Sequence, residues 1–153
     1  MTLTSTAYAE GGMIPDVCSC KNADGNGDSP PLAWTNPPAG TLSFAIVFTD
    51  KSNMLRHSMI YDIPANVLSL PAEVDAGFSP ADVPGAHQTR NFRNDNEYGG
   101  PCPNNTHTYE LAIYALDVAT LPNLTQNSTA MSGQAQVLMH DLAKATLTAT
   151  FTP

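Results

Sequence analysis

The sequence is short of charge, and shortest of positive charge. Asp, Glu, Lys and Arg make up 13% of its 153 residues, and only six residues are basic. Those six are scattered, with no Lys/Arg run to track a phosphate backbone. Fourteen acidic residues leave a formal net charge of −8. A chain of that sign repels nucleic acid and anionic bilayers at long range, so no nucleic-acid partner is expected. No apolar run approaches the roughly 20 residues of a membrane helix, so no transmembrane segment is expected. The longest such run, Leu42 to Phe48, has the length of a strand. No leader-like segment opens the chain either, since Met1-Thr2-Leu3 runs straight into strand-like sequence. Two locations stay open: periplasmic or secreted with the signal removed, or cytoplasmic. Cysteine is scarce and odd in number: Cys18, Cys20 and Cys102. At least one thiol is left over, and Cys18 and Cys20 stand too close to bridge each other easily. A disulfide is therefore expected to join Cys102 to either Cys20 or Cys18.

What the chain has is apolar residues (42%), thirteen Pro and ten Gly. The apolar fraction suffices for a core at the length of one ordinary domain, residues 1–153. The Pro and Gly punctuation predicts short strands joined by loops. Leu3 to Tyr8 alternates weakly and reads as a first strand. Lys21 to Pro31 is Asn, Asp, Gly, Ser and Pro, a loop. Leu42 to Thr49 is the clearest strand. Leu42, Phe44, Ile46 and Phe48 share one face and Ala45 and Val47 the other, so both sides are buried. Asp50 ends that strand with the parity of the bulky face. Arg56 to Ile63 is the next strand, with His57, Met59 and Tyr61 on one face and Ser58 and Ile60 on the other. Residues 70–103 form a long turn-rich stretch of the kind that carries function. Thr108 to Ala115 is a strand with Tyr109, Leu111 and Ile113 on one face, a parity that His107 shares. Gly133 to Ala145 is the best helix candidate, from the spacing of Val137, Leu138, Leu142 and Ala145. Thr146 to Phe151 alternates as a last strand.

Three polar residues thus stand at strand ends: Asp50, His57 and His107. An Asp beside a His orients its ring and favours its charged form, and two His rings can serve one anion. Other candidates weigh less. Asp24-Gly25-Asn26-Gly27-Asp28 has calcium-loop oxygens, but Ser29 and Thr35 occupy the places of the loop's glycine and closing glutamate, so it reads as a polar turn. His87 and His140 are isolated. Asp50 and the two His lack a local zinc-ligand motif, and no metal or cofactor is expected. Ser58 is expected on the face opposite His57, which disfavours a nucleophile pair. Sequons at Asn104, Asn123 and Asn127 are what a chain rich in Asn and Thr supplies by chance.

Longer blocks surround these residues. Ser29-Pro30-Pro31-Leu32-Ala33-Trp34 is followed by Pro38-Ala39-Gly40-Thr41-Leu42-Ser43-Phe44-Ala45. Then come Asp50 and His57-Ser58-Met59-Ile60-Tyr61-Asp62-Ile63-Pro64. Tyr98-Gly99-Gly100-Pro101-Cys102-Pro103, His107-Thr108-Tyr109 and Tyr114-Ala115-Leu116-Asp117 complete the series. In this order, from about Leu3 to the end, they resemble the phosphatidylethanolamine-binding protein family in its bacterial Raf-kinase-inhibitor-like branch. The resemblance implies a mostly-β fold, a large antiparallel sheet packed on a smaller one, with one or two short helices. It also implies a shallow site for phosphate, a carboxylate or a phospholipid head group, formed by Asp50, His57, Pro101, His107 and Tyr109, with Gly100 offering backbone contacts. In it the His rings donate to anion oxygens, Tyr109 donates a hydroxyl, and Pro101 and Pro103 stiffen the wall, one of them a candidate for a cis peptide. The rim departs from the family. Lys51-Ser52-Asn53 replaces Pro-Asp-Ala after Asp50, Ser58 replaces a Trp, Thr108 an Arg and Asn104 a Pro. The implied function is a non-enzymatic binding protein for a small anion, acting on a protein partner or not. The alternatives are a protease- or kinase-inhibitor-like interaction protein using loops 64–106, and a metal-dependent or hydrolytic enzyme. Bacterial relatives often dimerise, which makes a homodimer part of the resemblance.

Overall fold

The computed structural model describes residues 1–153 as a mostly-β, two-sheet protein. The strands are β1 (Thr2–Ser5), β2 (Gly12–Met13), β3 (Leu32–Thr35), β4 (Ser43–Asp50), β5 (Leu55–Pro64), β6 (Ser69–Leu70), β7 (His87–Gln88), β8 (His107–Leu116) and β9 (Asp141–Phe151). One α-helix, α1 (Ala130–Val137), and a 3-10 turn at Asp16–Cys18 complete the elements. The larger sheet has the order β2-β9-β8-β4-β5-β7 and the smaller β1-β3-β6. The larger one is antiparallel except that the two-residue β2 runs parallel to β9.

Alternation in β4 and β8 divides the core in two. Phe44, Ile46 and Phe48 join Tyr109, Leu111 and Ile113 in a cluster that also holds Leu3, Leu32, Trp34 and Leu70 of the small sheet. This is the layer between the sheets. On the opposite face, Ala45, Val47, Met59, Tyr61, Ala112 and Tyr114 pack with Ala130 and Val137 of α1. Every residue of β4 is buried, as its two apolar faces predict. Leu42 lies outside the strand and is half-exposed.

The helix and the first strand differ from the sequence expectation. β1 ends at Ser5, and Tyr8 lies beyond it. α1 starts earlier than Gly133, because Thr129 and Ser132 form a reciprocal capping box at its N-terminus. It stops at Val137, and Asp141 to Ala145 belong to β9, which pairs with β8 in continuous register from Ala143 to Phe151 after one irregularity at Leu142. Leu138 and Leu142, read as part of a helical stripe, are exposed. The burial of β9 alternates with period two, so sheet pairing overrides a short 3.6-like coincidence.

Two irregularities interrupt the β4–β5 ladder. At the second, Phe48 pairs with Ser58 while Thr49 pairs with Arg56, leaving His57 as an extra residue. A bulge of this kind turns the strand and re-aims a side chain. Here it moves His57 off the face shared by Met59 and Tyr61 and onto the face of Phe48 and Tyr109.

Candidate functional site

The pocket lies where β4, β5 and β8 end together. Asp50 and Tyr109 are direct cross-strand partners, which places their side chains side by side on one face. His107 begins β8 with the same parity, and the bulge delivers His57 beside them. His57 meets Phe48 and Tyr109 edge-on, with ring centroids 5.3 and 5.5 Å away. Phe48 stacks on both Tyr109 and Tyr98. The polar cluster thus rests on an aromatic floor.

Each polar group has a defined partner. Asp50 is 2% exposed, and its Oδ1 accepts the Ser52 N–H at 2.9 Å. Its Oδ2 lies 2.6 Å from His107 Nδ1. His57 Nδ1 lies 2.8 Å from the Gly99 carbonyl oxygen. A carboxylate and a carbonyl only accept, so both Nδ1 atoms carry hydrogen. In a neutral ring Nε2 then holds a lone pair and accepts; it donates only once the ring is protonated. Burial pushes the His57 pKa below its ordinary 6.5, against the Gly99 hydrogen bond and the Asp50 charge, which pull it up. Burial, and after it the Asp50 carboxylate, raises Tyr109 far above its ordinary value, so its hydroxyl stays a donor.

The cavity is lined by Asp50, Asn53, Leu55, His57, Phe92, Cys102, Pro103, His107 and Tyr109 and holds about 90 Å³. Pockets for drug-sized ligands hold roughly 300–1,000 Å³, so this one fits an ion or a head group rather than a whole lipid. Phe92 forms an aromatic wall, its ring centroid 4.4 Å from that of His57. Its N–H donates to the His57 carbonyl at 3.0 Å, tying residues 91–92 to β5. Asn53 enters the sequence reading only as a rim departure, and Leu55 and Phe92 do not enter it as site residues. The only signal for Phe92 is a lone aromatic in the polar stretch Arg90 to Asn96.

Asp50, His57, His107 and Tyr109 come together, whereas Gly100 and Pro101 stand behind the wall. The Gly100 N–H donates to the Asn26 carbonyl at 2.8 Å and is not free for a ligand. Gly100 serves close approach instead: a Cβ there would lie 2.6 Å from the Asn26 oxygen and 2.7 Å from the Cys18 oxygen. Both are backbone atoms that cannot swing aside. Gly100→Ala is expected to cost about 1–3 kcal/mol or more, as overpacking does, measured by urea denaturation. The Pro101 carbonyl accepts the Cys20 N–H at 3.0 Å. No peptide bond is cis, so the stiffness of this segment comes from proline's fixed φ and its cross-links. Cys20 and Cys102 form a disulfide, and Cys18 is a buried thiol whose pKa burial lifts to about 11.

The remaining candidates lie elsewhere. The bulge puts Ser58 on the same face as His57, contrary to period-two reading, but Ser58 lines a separate apolar cavity between the sheets. His87 stacks on Phe78, and His140 Nδ1 lies 3.0 Å from Asp117. Asp24 caps a turn, its Oδ1 accepting from the Asn26 and Gly27 N–H groups. No group of three or more His, Cys, Asp or Glu side chains is arranged to hold a metal ion.

Two packed sheets with a small cavity at their strand ends define a β-sandwich. The chain belongs to the phosphatidylethanolamine-binding protein family, whose family model matches residues 4–152. It is 33% identical to the UPF0098 protein YbhB of Escherichia coli, over 99% of each chain. It is 32% identical to a UPF0098 protein of Aquifex aeolicus, covering 79% of this chain and 71% of that one. Among solved structures, Escherichia coli YbcL superimposes with a TM-score of 0.88 at 25% identity, over 99% of this chain and 98% of that one. The Chlamydia trachomatis homologue CT736 gives 0.82 at 26% identity, over 99% and 97%.

Proposed function

We propose that the pocket binds a small oxyanion (phosphate, a carboxylate or a phospholipid head group) without covalent chemistry, and that binding is coupled to proton uptake by its histidines. The observation that carries this is the commitment of both Nδ1 atoms to protein acceptors. With both rings neutral the cluster of Asp50, His57 and His107 carries one negative charge and offers Nε2 lone pairs, a poor anion site. With both protonated it carries one positive charge and two Nε2–H donors, beside the Tyr109 hydroxyl. A ligand oxyanion supplies what is needed to hold those protons. Asp50 orients the His107 ring through its Nδ1 and leaves Nε2 turned to the ligand. Family membership and the pocket's small volume both support a binding role of this kind.

The test is an NMR titration with inorganic phosphate at about pH 6, where histidine charge is in play. The His57 and His107 ring signals are expected to move together. In His107→Ala the His57 response is expected to fall by about tenfold or more in affinity, the scale of one lost charge-assisted hydrogen bond. No response at millimolar phosphate would refute the reading.

A further inference from the structure

A second groove adjoins the pocket across Leu55 and Phe92, which line both. It is lined by Arg56, Arg90, Asn91, Asn94 and the first residues of α1, and holds about 420 Å³. Its lining contains no Asp or Glu, on a chain that carries fourteen. Neither arginine forms an ion pair, although three of the other basic side chains do. Arg56 uses Nε on Gln134 and Nη1 on the Met54 carbonyl. Arg90 uses Nη1 and Nη2 on Asn94 and Asn127. A guanidinium has five N–H donors, so each retains unspent ones.

A backbone donor lies in the same place. Met131, in the groove lining, is the exposed second residue of α1, and its N–H has no partner within the helix, whereas the buried Ala130 N–H turns to the Arg90 carbonyl in the Arg90–Thr129 bridge. The capping box occupies the N–H groups of Thr129 and Ser132 only. The helix dipole adds positive potential there. Independently of the helix, Asn91 is 94% buried (6% exposed), and its Nδ2 has no hydrogen-bond partner. Its Oδ1 is spent on the Arg93 and Asp95 N–H groups, which fixes the amide orientation and leaves a buried donor unsatisfied at the groove. A buried donor without a partner is costly unless something else supplies an acceptor.

We infer that this groove is a second anion site, taking a phosphate or carboxylate group of a soluble ligand on Arg56, Arg90 and the α1 N-terminus. The chain's net charge of −8 opposes docking on an anionic bilayer, so the ligand is soluble. This site differs in kind from the His57/His107 pocket. Arginine stays charged at any ordinary pH, so the groove needs no proton to bind. The inference therefore stands or falls separately from the proposed function.

The experiment is an inorganic phosphate titration followed by amide and side-chain NMR at about pH 8.5, where the proton-coupled pocket has lost its affinity. The Met131 amide and the Arg90 Nε–H are expected to shift with one saturable affinity. His57 and His107 are expected to stay still. Arg90→Gln should weaken that affinity by about tenfold, and Arg56→Gln/Arg90→Gln should abolish the shifts. Both variants should keep the His57 and His107 response at about pH 6. Arg90→Gln, at a half-buried residue outside both core clusters, decides the matter if the double variant is poorly folded. Still amides at pH 8.5, linear non-saturating shifts from an adventitious ion only, or shifts that survive Arg90→Gln unchanged would each overturn the inference.

Discussion

Sulfate affinity is expected to rise about tenfold for each ring that takes up a proton as the pH falls from about 8 to about 5.5, and so up to about a hundredfold for two. The direction follows from the pocket. In the free protein, burial holds the His57 pKa below 6.5. A bound anion favours the charged ring and raises that pKa. The complex then holds more protons than the free protein, and affinity climbs as pH falls between the two values. It levels off once the pH drops below the free-protein value, where both states are protonated. The size of the effect reflects the buried Asp50 carboxylate. Two like unit charges about 4 Å apart at an effective dielectric near 20 repel by about 4 kcal/mol, so an unprotonated site rejects an anion. Sulfate is the right probe, since phosphate groups titrate near pH 6 themselves. Calorimetry in two buffers of different ionisation enthalpy counts the protons taken up. An affinity that is flat across this range would contradict proton coupling.

Removing the Cys20–Cys102 disulfide is the change with the largest expected effect on stability. The bond closes 82 residues, and chain-entropy reasoning gives such a loop about 4.5 kcal/mol. Measured losses for natural disulfides run to about 2–5 kcal/mol, which at this chain length is a fall of roughly 5–15 °C in Tm. The consequence is local as well. Cys102 and Pro103 line the pocket, and Gly99, three residues before Cys102, supplies the carbonyl that fixes the His57 ring. The Cys20 N–H to Pro101 and Gly100 N–H to Asn26 bonds hold the same segment. Cys20→Ser/Cys102→Ser is therefore expected to unfold at lower urea and to bind anions more weakly, through a less fixed His57. Denaturation with a loss under about 1 kcal/mol would show that the backbone bonds suffice without the cross-link.

Much of this site is legible in the sequence, because it depends on parity. Asp50 carries the parity of Phe44, Ile46 and Phe48, and His107 that of Tyr109 and Leu111, so unbroken alternation brings Asp50, His107 and Tyr109 to one face. His57 is a different case. Period-two reading puts it with Met59 and Tyr61, on the α1 side of the sheet. Only the one-residue bulge opposite Phe48 and Thr49 turns it into the pocket, and no residue type in Arg56-His57-Ser58 announces a bulge. Phe92 arrives through loop packing, which periodicity does not describe, and Leu55 opens β5 opposite Asp50, one residue before the strand that the sequence marks. Gly100 and Pro101 are adjacent to the site in sequence, yet their polar groups face the 18–27 loop. Leu138 and Leu142 mimic a helical stripe across the α1–β9 junction, which displaces the expected helix toward the C-terminus. The cap at Thr129 marks where α1 starts.

The central claim is that the ligand is held by charged histidines whose Nδ1 atoms are already spent. The most direct measurement is the ring ¹⁵N shifts of His57 and His107, recorded with and without saturating phosphate at about pH 7, where unperturbed histidine is mostly neutral. Without phosphate, His57 is expected to show the neutral tautomer with hydrogen on Nδ1. With phosphate, both rings are expected to show the two equivalent nitrogen shifts of imidazolium. Rings that stay neutral in the phosphate complex, or a His57 that carries its hydrogen on Nε2, would contradict the account.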